Sequence, residues 1–250
     1  MPKTAREISR TGVYHVMLRG INRQEIFEEK EDYLFFLNLI KKAKEKCSFE
    51  LLAYCLMDNH VHLLMKEADN SISEIIRIIA GRYGSWYNKK YDRVGHVFQS
   101  RFRSECVITP GSVLRVARYI HRNPLKAGIC RNPEDYEYSS YTEYIGSPTI
   151  ISLAPIMNFM TLTEFMRYNN ISNSDEFLDI EGEKLPRQTE EQAKDIVKKE
   201  TGCDTVSSFQ ALPKEIRKEH LRKLRSQGIS IRQLSRLTGE SRGVIQRLRF

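Results

Sequence analysis

No stretch of this 250-residue chain approaches the ~20 consecutive apolar residues that cross a bilayer. The opening segment, MPKTAREISRTG, is polar and lacks the apolar run of a signal peptide. A cytosolic location is therefore expected. The five cysteines, Cys47, Cys55, Cys106, Cys130 and Cys203, are odd in number and scattered, with no CxxC pair. That argues against a disulfide framework and against a cysteine zinc site, and leaves buried thiols in a reducing compartment. Internal repeats, low-complexity tracts and a P-loop are also missing.

What is present is an ordinary globular balance, 40% hydrophobic and 29% charged, enough apolar material for a proper core. The net charge of +8 favours a polyanionic partner, and its distribution is uneven. Residues 214–250 hold 11 Lys and Arg against 3 Asp and Glu, which is the whole excess. The first 213 residues carry 29 charges of each sign.

The pattern predicts a strand in VYHVMLRG (13–20) and a helix in EDYLFFLNLIKKAKEK (31–46). FELLAYCLM (49–57) and HVHLLMK (60–66) read as two strands joined at Asp58-Asn59, good turn chemistry. Ser71-x-x-Glu74 opens a helix over 71–91 as a capping box. FQSRFRSECVI (98–108) reads extended. GSVLRVARYIHRN (111–123) reads as a helix that stops before Pro124, because the residue before proline is pushed out of the α region. The first six elements form a βαββαβ pattern, so the fold class expected is α+β: a ferredoxin-like domain over 1–148 with the helix at 111–123 added. Residues 149–187 read as a linker with a short helix at Thr161-x-x-Glu164. Residues 188–250 read as a small all-α domain, entered at Thr189-x-x-Gln192.

HVH places His60 and His62 two apart on a strand, hence on one face, the arrangement that binds one divalent metal. By itself the motif fits equally well a pair of half-exposed histidines bonded to backbone or water. A third ligand would shift the balance. Tyr119 and Asn123 stack at i and i+4 on the later helix, and an amide oxygen suits Mg²⁺ or Mn²⁺. Arg115, Arg118 and Arg122 surround them and suit a phosphate backbone. Spacing cannot single out Tyr119 among 12 tyrosines, for which a core aromatic is the commoner fate.

HVH followed by YIHRNPLKAG resembles the HUH single-tyrosine transposases, and more closely the REP-associated tyrosine transposase branch. YHVMLRGINRQEIF, YCLMDNHVHLL and GHVFQSRFRSECV support the likeness, which covers roughly residues 10–146. The resemblance implies cleavage and rejoining of single-stranded hairpin DNA. Tyr119 would be the nucleophile that forms a 5′-phosphotyrosine, and His60, His62 and Asn123 would hold Mg²⁺ or Mn²⁺. Asn123 stands where many relatives outside this branch have Gln. A prokaryotic, nucleoid-associated protein and a homodimer are further expectations. Two other readings stay open: a hairpin-DNA-binding regulator without chemistry, and a metal-dependent nuclease that uses water.

DNA contacts are expected from Arg19, Arg101 and Arg103 as well as the three arginines of the tyrosine helix. The aromatics of 81–103, Tyr83, Trp86, Tyr87, Tyr91, Phe98 and Phe102, lie among cations in the manner of a base-stacking surface, although core packing is expected for more than half of them. At the C-terminus, SIRQLSRLTGESRGVIQRLRF has the length and turn of a helix-turn-helix, with Arg242, Gln246 and Arg247 on its second helix. A loose basic bundle is the alternative.

Overall fold

The computed structural model describes residues 7–171, 177 and 188–248, the side chains of 246 and 247 excepted. The expectations for Gln246 and Arg247, and most of the loop read within 172–187, lie outside the described residues. Two compact units divide the chain, Met1–Ile180 and Glu181–Phe250.

In the first unit, β1 (Val13–Arg19), α1 (Lys30–Lys44), β2 (Phe49–Met57), β3 (His60–Glu67), α2 (Ile72–Lys90) and β4 (Arg103–Cys106) follow one another. The sheet order is β2-β3-β1-β4, and every neighbouring pair is antiparallel. Both inner strands are buried on both faces because both faces are covered, one face mainly apolar and the other carrying histidines among its apolar residues. Val16, Leu18, Val61 and Leu63 are almost wholly buried on the side of α1 and α2, which pack on each other and on β2 and β3. α3 (Pro110–Lys126) takes the other face, over β2 and β3.

The caps explain where the helices begin. Ser71 accepts from the Glu74 N–H at 3.3 Å, but the Glu74 carboxylate accepts from Asn70 Nδ2 instead of closing the box. Thr109 caps α3, with Pro110 at its first position. The end of α3 corrects the sequence reading, since the helix runs through Pro124 to Lys126. Gly128 is left-handed at φ 68°, its N–H reaches Leu125 O, and the Ile129 N–H reaches Pro124 O. This Schellman closure satisfies the last carbonyls, and burial of Asn123 and Pro124 adds packing. Together they outweigh the bias of the residue before proline.

The exposed edge of β2 is covered rather than left open. Leu56 N–H donates to Tyr138 O, Ser140 N–H to Tyr54 O and Ser152 N–H to Leu51 O. Tyr136 and Tyr144 donate their hydroxyls to Leu56 O and Leu52 O. After α4 (Tyr141–Ile145), residues 149–171 are more than a linker: they hold α5 (Ala154–Met157) and α6 (Leu162–Asn170), and Ile150, Ile156 and Phe165 are buried in this unit's core.

The second unit holds α7 (Glu190–Thr201), α8 (Val206–Gln210), α9 (Lys214–Ser226), α10 (Ile231–Thr238) and α11 (Arg242–Arg247). Its core gathers Val197, Phe209, Leu221, Leu224, Leu234 and Ile245. No described helix of either unit is long and apolar enough to cross a membrane.

Candidate active site

The pleat decides which side chains meet. Residues two apart on a strand share a face, and directly opposed residues on neighbouring strands share it too. Arg19 is opposed to His60, Met17 to His62 and to Arg103, and His15 to Glu105. One sheet face therefore carries His15, Arg19, His60, His62, Arg103 and Glu105.

Both imidazoles of the HVH motif are held from behind. His60 Nδ1 lies 2.6 Å from Asn59 Oδ1. An amide oxygen only accepts, so Nδ1 carries the proton and Nε2 the lone pair. That Nε2 faces Asn123 Oδ1 at 3.4 Å. His62 Nδ1 lies 3.0 Å from His15 Nε2, which leaves the Nε2 of His62 for the site. The two rings are 4.9 Å apart and almost perpendicular.

α3 supplies the rest. The Tyr119 ring stands 5.6 Å from the His62 ring and 5.9 Å from that of His15. Phe177 packs edge-on against it at 5.4 Å, and Lys126 Nζ lies 5.6 Å over its face. Asn123, one turn further, is 1% exposed, and its Nδ2 has no hydrogen-bond partner among the described residues. His121 points the other way, into the core. Its Nδ1 donates to Asn169 Oδ1 at 3.1 Å and its Nε2 meets Ser140 Oγ at 2.9 Å. Burial pushes its pKa down to about 4.

The donor set can be tested against a divalent cation. The His60 and His62 rings, 4.9 Å apart, and the Asn123 amide oxygen meet here, with His60 Nε2 3.4 Å from Asn123 Oδ1. A cation between such groups satisfies both, and this set accommodates Mn²⁺ or Mg²⁺ with positions left for phosphate oxygens. Among the described residues, no group of three His, Cys, Asp or Glu is placed to hold a metal, so a metal here depends on Asn123.

The arginines divide into two sets. Arg19, half-buried, has its pKa pushed down to about 10 by burial and by the nearby Arg23 and Arg103. Its Nε has no hydrogen-bond partner among the described residues. Arg101, Arg103 and Arg115 are exposed. Arg118 and Arg122 are engaged with α6: the Arg118 guanidinium lies 4.1 Å from the Tyr168 ring centroid, and Arg122 Nη1 donates to Asn169 O at 2.7 Å. In the second unit Arg242 is half-buried in the first turn of α11.

The aromatic segment is spent on structure. Tyr83 and Tyr87 are fully buried, with their hydroxyls on Ile26 O and Glu28. Trp86 stacks on Phe35 at 4.1 Å, and Tyr91 donates to Asp32. Phe98 and Phe102 are half-buried against the same core. The neighbouring Lys90 is within 3.3 Å of Glu29, Glu31 and Asp32. His15 is the site neighbour that the sequence reading passed over. Its signal was a lone polar residue at an inward position of an apolar strand, in register with the HVH strand.

Residues 9–123 match the family model described as transposase IS200-like. A protein of Haemophilus influenzae described as a REP-associated tyrosine transposase is 27% identical over 154 residues, 56% of this chain and 86% of that protein. A solved REP-associated tyrosine transposase bound to a REP hairpin superposes with a TM-score of 0.53, covering 71% of this chain and 96% of the other. At 16% identity that likeness is one of fold.

Proposed function

We propose that this chain nicks and rejoins single-stranded DNA at hairpin elements of REP type, a reading supported by the match of residues 9–123 to the transposase IS200-like family model. Tyr119 is the nucleophile, and His60, His62 and Asn123 hold Mg²⁺ or Mn²⁺. The observation that carries the reading is the convergence of these four side chains, from a strand and a helix far apart in sequence, on one sheet face.

Tyr119 Oη attacks the scissile phosphorus, and the bond to the 3′-oxygen breaks. The phosphate stays on the tyrosine and the 5′ strand, and the phenolic proton ends on the released 3′-hydroxyl. Because the phosphotyrosine conserves the phosphodiester energy, a second 3′-hydroxyl can reverse the step without ATP. A bound divalent cation supplies Lewis-acid polarisation of the scissile phosphate. The chain's own residues do the rest. α3 holds the phenol against His62, so that attack is nearly intramolecular. The Lys126 ammonium beside the ring offsets the phenolate charge as it forms. Arg19, Arg23 and Arg103, which lie close enough to repel one another, suit the phosphates flanking the cleavage point. Arg115 and Arg101 extend that path.

The strand order supports a ferredoxin-like reading of the sheet. α10 and α11, joined through left-handed Gly239 and a turn at Glu240, support a helix-turn-helix that adds duplex affinity by tethering.

The test is a denaturing gel of the full chain with labelled hairpin DNA and Mn²⁺ or Mg²⁺. A covalent protein–DNA band is expected from wild type. Tyr119→Phe is expected to lose it, and His60→Ala to lose it while still binding the hairpin. Cleavage without an adduct would establish a water-using nuclease, and an intact bound substrate a regulator. Either would overturn the proposal.

A further inference from the structure

A metal-binding imidazole must present a lone pair, so its other nitrogen must carry a proton and find an acceptor. For His60 the acceptor is Asn59, its chain neighbour. For His62 it is a residue 47 positions away. His15 is fully buried, its Nε2 lies 3.0 Å from His62 Nδ1, and the two rings are inclined at 28° with centroids 5.1 Å apart. On its far side, His15 Nδ1 lies 3.8 Å from Glu105 Oε2, the residue directly opposed to it on β4.

We propose that His15 is a positioning residue for the His62 ligand, with Glu105 behind it. The inference rests on the metal reading of the site given above. The proton assignment runs one way along the row. Glu105 Oε2, 3.8 Å away, stands beyond hydrogen-bond distance, but its negative charge favours a proton on the facing His15 Nδ1. His15 Nε2 is then an acceptor and takes the bond from His62 Nδ1–H. His62 Nε2 is left with its lone pair toward the site. The reverse order would set the His15 Nδ1 lone pair facing the ionised carboxylate, which disfavours it. The row also fixes the plane of the His62 ring, which stands perpendicular to that of Tyr119. Glu105 is 43% exposed, so its hold on His15 is the weaker link.

Two readouts separate this role from a packing role, and neither uses DNA. The first is the tautomer of His62 in the metal-free protein, read from long-range ¹⁵N–¹H correlations of the ring. The Nδ1–H form is expected in wild type, with loss of its dominance in His15→Phe, which offers no acceptor. The second is Mn²⁺ affinity, read from the electron paramagnetic resonance of free Mn²⁺. His15→Phe should weaken binding about 10- to 100-fold, the usual cost of losing such a partner. His15→Gln, whose amide oxygen can stand near the position of Nε2, should restore most of it. Thermal melts of each variant report folding separately. Glu105→Ala, on a half-exposed side chain, keeps the test open if His15→Phe does not fold, and a weakening of a few-fold is expected.

An Nε2–H tautomer of His62 in wild type would overturn the proposal. So would His15→Phe with an unchanged tautomer and unchanged Mn²⁺ affinity. In a folded Glu105→Ala protein, unchanged tautomer and affinity would remove Glu105 from the row. A wild-type protein that holds the Nδ1–H tautomer yet takes up no Mn²⁺ would overturn the metal reading of the site, a distinct failure.

Discussion

His121 makes the first unit lose stability as the solution is acidified. Its ring is fully buried between Asn169 and Ser140, and both of its bonds suit the neutral form. Asn169 Nδ2 donates to Phe165 O, so Oδ1 faces His121 and takes the proton of Nδ1. The Nε2 lone pair is then open to the Ser140 hydroxyl. Burial lowers the folded pKa from 6.5 to about 4. Above pH 6.5 the ring is neutral folded or unfolded, and it imposes no pH dependence. Between 6.5 and 4 only the unfolded chain takes up the proton, so stability falls as pH falls. At ~1.4 kcal/mol per pH unit the full window is worth about 3 kcal/mol, and about 2 kcal/mol is lost by pH 5. Urea unfolding at pH 7.5, 6 and 5, followed by fluorescence, measures it. Trp86 is the only tryptophan in the chain and is stacked in this unit's core. His121→Gln carries a donor and an acceptor but does not titrate. It should be less stable than wild type at pH 7.5, and the gap should shrink by about 2 kcal/mol at pH 5. Taking the difference cancels the other titrating groups. A gap that stays constant across the range would refute the reasoning.

The second unit has its own test in Gly239, which is left-handed at φ 70° and whose added Cβ would stand 2.5 Å from Val206 Cγ1. Gly239→Ala should destabilise that unit by about 2–3 kcal/mol, from left-handed strain plus overpacking. Circular dichroism melts should show a shifted helical transition while the Trp86 fluorescence transition holds, and an unshifted melt would count against the packing described. Arg103→Gln addresses the phosphate path. In filter binding of hairpin DNA between 50 and 200 mM salt, the log–log slope should flatten by about 0.7, the contribution of one single-strand phosphate contact. An unchanged slope would exclude Arg103 from the path.

The elements of the first unit were legible because each carries its own period and punctuation. The apolar runs of β2 and β3 flank Asp58-Asn59, and a serine or threonine hydroxyl accepts from the third residue's N–H at the start of α2, α3 and α6. What escaped the sequence were decisions made by tertiary contact. Core packing is expected for more than half of the aromatics over 81–103, but not that Lys90 beside them sits among three carboxylates. Within 149–171 the short helix opened at Thr161-x-x-Glu164 was legible, but its packing on α3 and the attachment of Ser152 to the β2 edge were not. Arg118 and Arg122 read as phosphate ligands by charge alone, but α6 already supplies them with a ring face and a carbonyl. His15 needed the register of β1 on β3, which no local pattern contains.

Asn59 shows how turn chemistry and site chemistry become one problem. As the second residue of a tight turn, it was legible only as a residue suited to turning. In the fold, its carbonyl accepts from Gly20 N–H at 2.9 Å, its Nδ2 donates to Arg23 O at 3.3 Å, and its Oδ1 takes the proton of His60 Nδ1. Asp58 beside it accepts on its carbonyl from Ile26 and Phe27 N–H, and on its carboxylate from the Tyr33 hydroxyl. The segment after β1 can approach this closely because Gly20 has no side chain: a Cβ there would overlap Gln24 O and Ile26 Cγ2. Asn22 and Arg23 then take left-handed backbone, at φ 51° and 58°, to complete the turn. The same amide therefore sets the tautomer of one metal-ligand candidate and anchors the arginine turn beside it. A site whose groups must hold their geometry within about 0.5 Å gains from being fixed to one rigid hairpin rather than to independent loops.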